Sequence, residues 1–115
     1  MNSDPDALVL QASWAGGVRV LTLNRPKALN SFTRDMLKAL HVALDDAAND
    51  PSVRGVVIAG AGRAFCAGQD LSDPGVAPDL TPGATPKDTG EHIMGSYQPM
   101  LMRLRSMPVP TLAMV

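Results

Sequence analysis

Two stretches of this 115-residue sequence hold the residues with the best claim to chemistry. The first, Asn24-Arg25-Pro26-Lys27-Ala28-Leu29-Asn30-Ser31, places two cations in a loop interrupted by proline. The second, Gly60-Ala61-Gly62-Arg63-Ala64-Phe65-Cys66-Ala67-Gly68-Gln69-Asp70-Leu71, combines glycines with a thiol, an amide and a carboxylate. Each follows an apolar run that reads as a strand, and ligand sites in α/β proteins favour the loops at strand C-terminal ends. Nucleotide-loop readings fail on the residues. No Gly-Lys-Ser/Thr ending is present, and a dinucleotide fingerprint would need glycine where Phe65 stands. Cys66 lies between small and apolar residues with no basic partner nearby, the setting of a packing cysteine rather than a nucleophile. Asp70 is better placed to cap or brace its loop through local N–H groups than to act as an acid. His41 falls beside Leu40 on a helix and reads as a solvated or interface residue. Glu91 and His92 open a later helix and read as surface. No spacing matches a metal site.

The elements around these loops must hold them. Leu8-Val9-Leu10-Gln11-Ala12 and Val18 to Leu23 read as two strands of a hairpin, with a turn at Trp14-Ala15-Gly16-Gly17. Val18, Val20 and Thr22 share one face of the second strand, which ends at Asn24-Arg25-Pro26. A helix is predicted from Thr33, a good N-cap, to Asn49. Its apolar face carries Met36, Leu37, Leu40, Ala43, Leu44 and Ala47, and Asn49-Asp50-Pro51 stops it. Val53 to Ala59 reads as a strand covered on both faces, because Val56-Val57-Ile58 is unbroken by polar residues. Strand, helix, strand in this order gives an α/β class. Residues 72–90 are rich in proline and glycine and read as a long mobile loop. A second helix is expected over Glu91 to Arg105, weakened by Gly95 and Pro99, with Met94, Met100, Leu101 and Leu104 on its apolar side. Thr111 to Val115 begins an apolar strand. That strand is expected either to continue into further chain or to pair with another chain.

Composition narrows the class. Ten basic against eleven acidic side chains, and 3% aromatic residues, argue against a nucleic-acid partner. The single cysteine allows no intrachain disulfide, and no secretory leader or membrane span is legible. The expected setting is cytoplasmic.

Taken together, the two stretches resemble the crotonase superfamily, the enoyl-CoA hydratase/isomerase family. Asn24 to Ser31 after Thr22-Leu23 resembles its first CoA-contacting loop, and Gly62 to Leu71 its first oxyanion-hole loop. Val53-Arg54-Gly55-Val56-Val57-Ile58-Ala59-Gly60 resembles the strand that leads into that second loop. The resemblance runs from about Leu8 to the end, apart from the proline-rich loop. Cys66-Ala67-Gly68-Gln69-Asp70-Leu71 followed by Ser72-Asp73 is most similar to isomerases of the phenylacetate pathway.

The resemblance implies a ββα spiral, with residues 1–115 as the N-terminal part of one crotonase-like domain. It implies an enzyme that stabilises a thioester enolate and isomerises or hydrates an unsaturated acyl-CoA. The backbone N–H of Gln69 would be one oxyanion donor, made possible by an unusual turn at Gly68. Coenzyme A would lie along Arg25, Lys27, Ala28 and Leu29, and along Ala64, Ala67, Gly68, Gln69, Asp70 and Leu71. Arg25 and Lys27 would meet its phosphates, unless Arg25 only covers the strand end. Met94 to Met102 would lie over the acyl group. No cofactor is implied beyond the coenzyme A of the substrate, and full members are commonly trimers or pairs of trimers. The family's acid/base residues and second oxyanion donor would lie beyond Val115, so this chain alone is expected to be inactive and poorly stable. The alternative is a non-catalytic piece that binds coenzyme A weakly or pairs with a partner chain.

Overall fold

The computed structural model describes residues 4–70, 72 and 97–115. Strands β1 (Val9–Trp14) and β2 (Val18–Leu23) form an antiparallel hairpin. Trp14 pairs with Val18, so the turn is confined to residues 15–17 and β1 runs two residues further than the sequence suggested. A single 3-10 turn, Pro26–Ala28, leads to helix α1 (Arg34–Asn49). Strand β3 (Gly55–Gly60), helix α2 (Gln98–Arg105) and strand β4 (Thr111–Met114) complete the described elements. The sheet order is β1-β2-β3-β4, with β3 parallel to β2 and β4 parallel to β3. Thr111 to Met114 therefore finds a partner within this chain, in β3.

Helix α1 forms where its period and caps dictate. Thr33 stays extended and its hydroxyl accepts the Met36 N–H at 3.1 Å, a cap worth about 1 kcal/mol. All six apolar-face residues, Met36 to Ala47, are buried. They pack with Val9, Leu21, Leu23, Val56 and Ile58 from one face of the sheet and with Met100 from α2. Leu21, Leu23, Met36, Leu37, Leu44 and Val56 are essentially fully buried, and each contributes about 1.5–3 kcal/mol. At the far end of α1, buried Arg19 donates to the Asp50 carboxylate at 2.8 Å and to Gln11 at 3.2 Å, tying β2 to the helix stop.

Val57 corrects one expectation. It is only half-buried, because it shares the opposite sheet face with Val18, Val20 and Thr22. On that face Val20 and Ala59 are buried, while Trp14, Leu112 and Met114 are half exposed or more. The strand also begins at Gly55 rather than Val53, since the Val53 N–H closes the turn after α1 on the Asp50 carbonyl. In α2, Pro99 occupies the first turn, where its missing N–H forfeits no intrahelical bond, so it starts the helix instead of weakening it. Met100 is buried and Leu104 partly so, but Leu101, expected on the apolar side, is exposed, as is Met102. Glu91, His92, Met94, Gly95 and the loop at 73–90 lie outside the described residues.

Candidate functional site

The two loops meet because their strands are parallel neighbours. Leu23, the last residue of β2, is in register with Gly60, the last of β3. Both loops thus leave the same edge of the sheet, and the Ala61 N–H extends the ladder to the Leu23 carbonyl at 2.9 Å. The second loop turns back at once onto the strand end. A side chain at Gly60 would lie 2.5 Å from the Ala64 carbonyl, so only glycine fits there.

The first loop is a compact knot. Ala28 N–H bonds to Arg25 O, Leu29 N–H to Pro26 O, Asn30 N–H to Arg25 O and Ser31 N–H to Ala28 O. Leu29 and Asn30 both take left-handed conformations, φ 54° and 57°. This is costly for leucine and better tolerated by asparagine. The turn drives the Asn30 side chain inward, where it is fully buried and satisfied at both ends. Its Oδ1 accepts the Arg25 N–H at 2.8 Å. Its Nδ2 donates to Ala61 O at 2.9 Å and Ala64 O at 2.8 Å, both in the second loop. Sequence reasoning did not single out Asn30. The available signal was an asparagine, among the non-glycine residues most at ease in a left-handed turn, just ahead of a helix cap.

Further links join the loops. Ala67 N–H bonds to Leu29 O at 3.0 Å. The Arg25 guanidinium donates to Ser31 O at 2.6 Å and to the Asp70 carboxylate at 2.9 Å. Asp70 also accepts the Ser72 hydroxyl and N–H. The Ser72 hydroxyl, then Arg25, then the Ser72 N–H hold the Asp70 carboxyl down from an ordinary 3.8 to about 2. Asp70 is therefore an anion that clips the loops together at neutral pH.

The geometry at Gln69 is specific. Phe32 and Gln69 form an isolated parallel bridge. Phe32 N–H bonds to Gly68 O at 2.7 Å, and Asp70 N–H to Phe32 O at 2.9 Å. Parallel pairing of this kind turns the N–H of the bridged residue away from its partner. Among the described residues, no acceptor receives the Gln69 N–H. Gly68, at φ 100°, makes the turn, and its own N–H points at the Cys66 sulfur, 3.5 Å away. Ala67, Gly68 and Gln69 are exposed.

Lys27 and Ala28 lie on a surface cavity of about 370 Å³ shared with Pro5, Asp6, Asn24, Arg25 and Pro26. Asn24 shapes it by donating to Pro5 O and Ala7 O at 3.0 and 2.9 Å. No ion pair engages Lys27 among the described residues. His41 stands apart on α1, 3.7 Å from Asp45, and Leu71 lies outside the described residues. Cys66 is half-buried against the core rather than fully buried. Among the described residues no group of acidic, histidine or cysteine side chains could hold a metal, and no helix is long and apolar enough to cross a membrane.

The enoyl-CoA hydratase/isomerase family profile matches residues 14–115. The chain is 42% identical over 99 residues to the 1,2-epoxyphenylacetyl-CoA isomerase of Escherichia coli K12, covering 86% of this chain and 36% of that protein. It is 36% identical over 119 residues to the enoyl-CoA hydratase EchA19 of Mycobacterium tuberculosis, covering 100% of this chain and 40% of that protein. A solved enoyl-CoA hydratase of Mycobacterium smegmatis superposes with a TM-score of 0.76 at 34% identity, over 94% of this chain and 39% of that one. The chain thus spans about two fifths of the length of these relatives. By its sequence and by its fold, it belongs to the enoyl-CoA hydratase/isomerase, or crotonase, family.

Proposed function

We propose that the chain binds acyl-CoA thioesters along its two joined loops, and that the Gln69 N–H is one of the donors that take up charge on the thioester oxygen. The observation behind this reading is the direction of that N–H. The Phe32 bridge turns it outward on an exposed loop, and no acceptor among the described residues competes for it. Removing a proton next to a thioester, or adding water to an enoyl thioester, moves negative charge onto the carbonyl oxygen. A donor already held in place stabilises that charge without reorganising.

Lys27, exposed beside the cavity of about 370 Å³, would meet the phosphates of coenzyme A. Arg25 is committed to Asp70 and Ser31, so its part is to shape the loop, while Ala28 and Leu29 offer main chain that a ligand can approach. Ala64 and Ala67 serve the scaffold through one carbonyl and one N–H, and offer their remaining main-chain groups to the pantetheine. The reaction class that fits the family is isomerisation or hydration of an unsaturated acyl-CoA. None of the side chains described above is assigned the proton transfers.

Calorimetric titration of the chain with acetyl-CoA and with CoA tests the proposal. Saturable binding of both is expected, and Lys27→Ala should weaken it by about 3- to 10-fold through loss of a charged phosphate contact. Absence of binding up to millimolar ligand would contradict it.

A further inference from the structure

The cavity of about 370 Å³ beside the first loop is lined by chain from two places. One is the loop itself, with Lys27 and Ala28. The other is the lead-in to β1, with Pro5 and Asp6. Residues 4–7 lie ahead of β1 and take no part in the sheet. They turn back on themselves, with the Asp6 N–H on Asp4 Oδ1 at 2.9 Å and the Ala7 N–H on Asp4 O at 3.2 Å. Asn24, the first residue of the loop, ties them to it. Its N–H bonds to Leu8 O at 2.9 Å, and its Nδ2 donates to Pro5 O at 3.0 Å and to Ala7 O at 2.9 Å. This tie brings a charge to the cavity. The Asp6 carboxylate and the Lys27 ammonium line the same space, yet among the described residues neither has an ion-pair or hydrogen-bond partner. Arg25, the remaining charged group there, is taken up by Asp70 and Ser31. A ligand matched to this cavity carries an anion for the cation and a hydrogen-bond donor for the carboxylate. A nucleotide has both, phosphate for Lys27 and a sugar hydroxyl or base amino group for Asp6. Pantetheine, the other end of coenzyme A, carries no anion.

We infer that Asn24 is a positioning residue for the nucleotide end of coenzyme A: by fastening residues 5–7 to the strand end, it places the Asp6 carboxylate in the Lys27 cavity as an acceptor for the donors of the adenosine. This rests on the reading that coenzyme A lies along the first loop. It gives the segment ahead of β1 a task in recognition, separate from the Gln69 donor, which belongs to the second loop.

The test splits the ligand. The ¹⁵N-labelled chain is titrated with acetyl-CoA, with acetyl-pantetheine, which lacks the nucleotide, and with adenosine 3′,5′-bisphosphate, which lacks the rest. The bisphosphate should move the Asp6 and Ala7 amides and the Asn24 side-chain amide, and acetyl-pantetheine should leave them in place. Asn24→Asp keeps the shape and removes both donors. It should weaken acetyl-CoA and the bisphosphate by about 3- to 10-fold and leave acetyl-pantetheine unchanged. Asp6→Ala removes the acceptor from an exposed position ahead of the first strand, where folding does not depend on it, and should weaken the same two ligands to a similar extent. An equal loss for acetyl-pantetheine in Asn24→Asp would show a merely structural residue and overturn the inference. So would undiminished bisphosphate binding in Asp6→Ala, or a bisphosphate that moves the Lys27 amide but neither Asp6 nor Ala7; both leave the coenzyme A reading intact. No binding of acetyl-CoA or the bisphosphate to the unmodified chain would overturn both.

Discussion

The loop after β2 and the loop after β3 leave adjacent strands at the same level, yet they are built differently. The first supports itself: four of its main-chain hydrogen bonds close within residues 25–31. The second leans on the first. Its Ala61 and Ala64 carbonyls are held by Asn30, its Ala67 N–H by Leu29, and Gly68 and Asp70 by Phe32. Asp70 is fastened to Arg25. The loop that would present the donor is therefore shaped largely by residues some 30 to 45 positions earlier in the chain. A rigid clamp on one strand can thus aim a backbone N–H on its neighbour, without reorganisation when charge develops.

This asymmetry can be broken most severely at Asn30. Asn30→Ala removes three hydrogen bonds and strands buried carbonyl and N–H groups, each costing about 1–3 kcal/mol. Urea unfolding should show a loss of about 3 kcal/mol or more, with both loops disturbed. A change confined to the second loop would mean that the first does not depend on Asn30. A smaller effect is expected at Gly68. Gly68→Ala places a side chain at φ 100° where no neighbour obstructs it, so the cost is backbone strain alone, about 1–2 kcal/mol, and falls on the second loop. Amide exchange should quicken around Gln69 and leave residues 25–31 unchanged.

The subtlest effect belongs to Asp70 and appears in the pH dependence. Its folded pKa, about 2, lies below the ordinary 3.8, so its stabilising contribution is complete above about pH 4 and disappears as pH falls towards 2. Asp70→Asn should lower the melting temperature at neutral pH and converge with the unmodified chain near pH 2. A constant gap between the two across that range would show that the charge on Asp70 is not what joins the loops.

The scaffold was far more legible in the sequence than the clamp. Helix α1 declared itself through six apolar positions at helical spacing and a threonine cap, all local signals. The limits of β2 followed from a hydrophobic run stopped by Asn24-Arg25-Pro26. Both loops drew notice through glycine, proline and charge, and through their resemblance to a family. What stayed hidden depends on register. Only the pairing of Leu23 with Gly60 brings Asn30 beneath the second loop, and only the position of α2 brings the Tyr97 ring against Phe32. In the left-handed pair Leu29-Asn30 the asparagine suits the turn, but leucine alone would avoid it and is held there by the hydrogen bonds around it. Pro99 was misread because a helix-breaking residue in an interior is a helix-starting one in the first turn.

The central claim is that the Gln69 N–H receives the thioester oxygen. It is tested most directly by following the ¹⁵N-labelled amides of the chain during titration with acetyl-CoA and, separately, with CoA. The Gln69 amide proton is expected to move downfield with acetyl-CoA and much less with CoA, while amides around Lys27 and Ala28 respond to both. Equal displacements of Gln69 with the two ligands, or none with either while the first loop responds, would contradict the account.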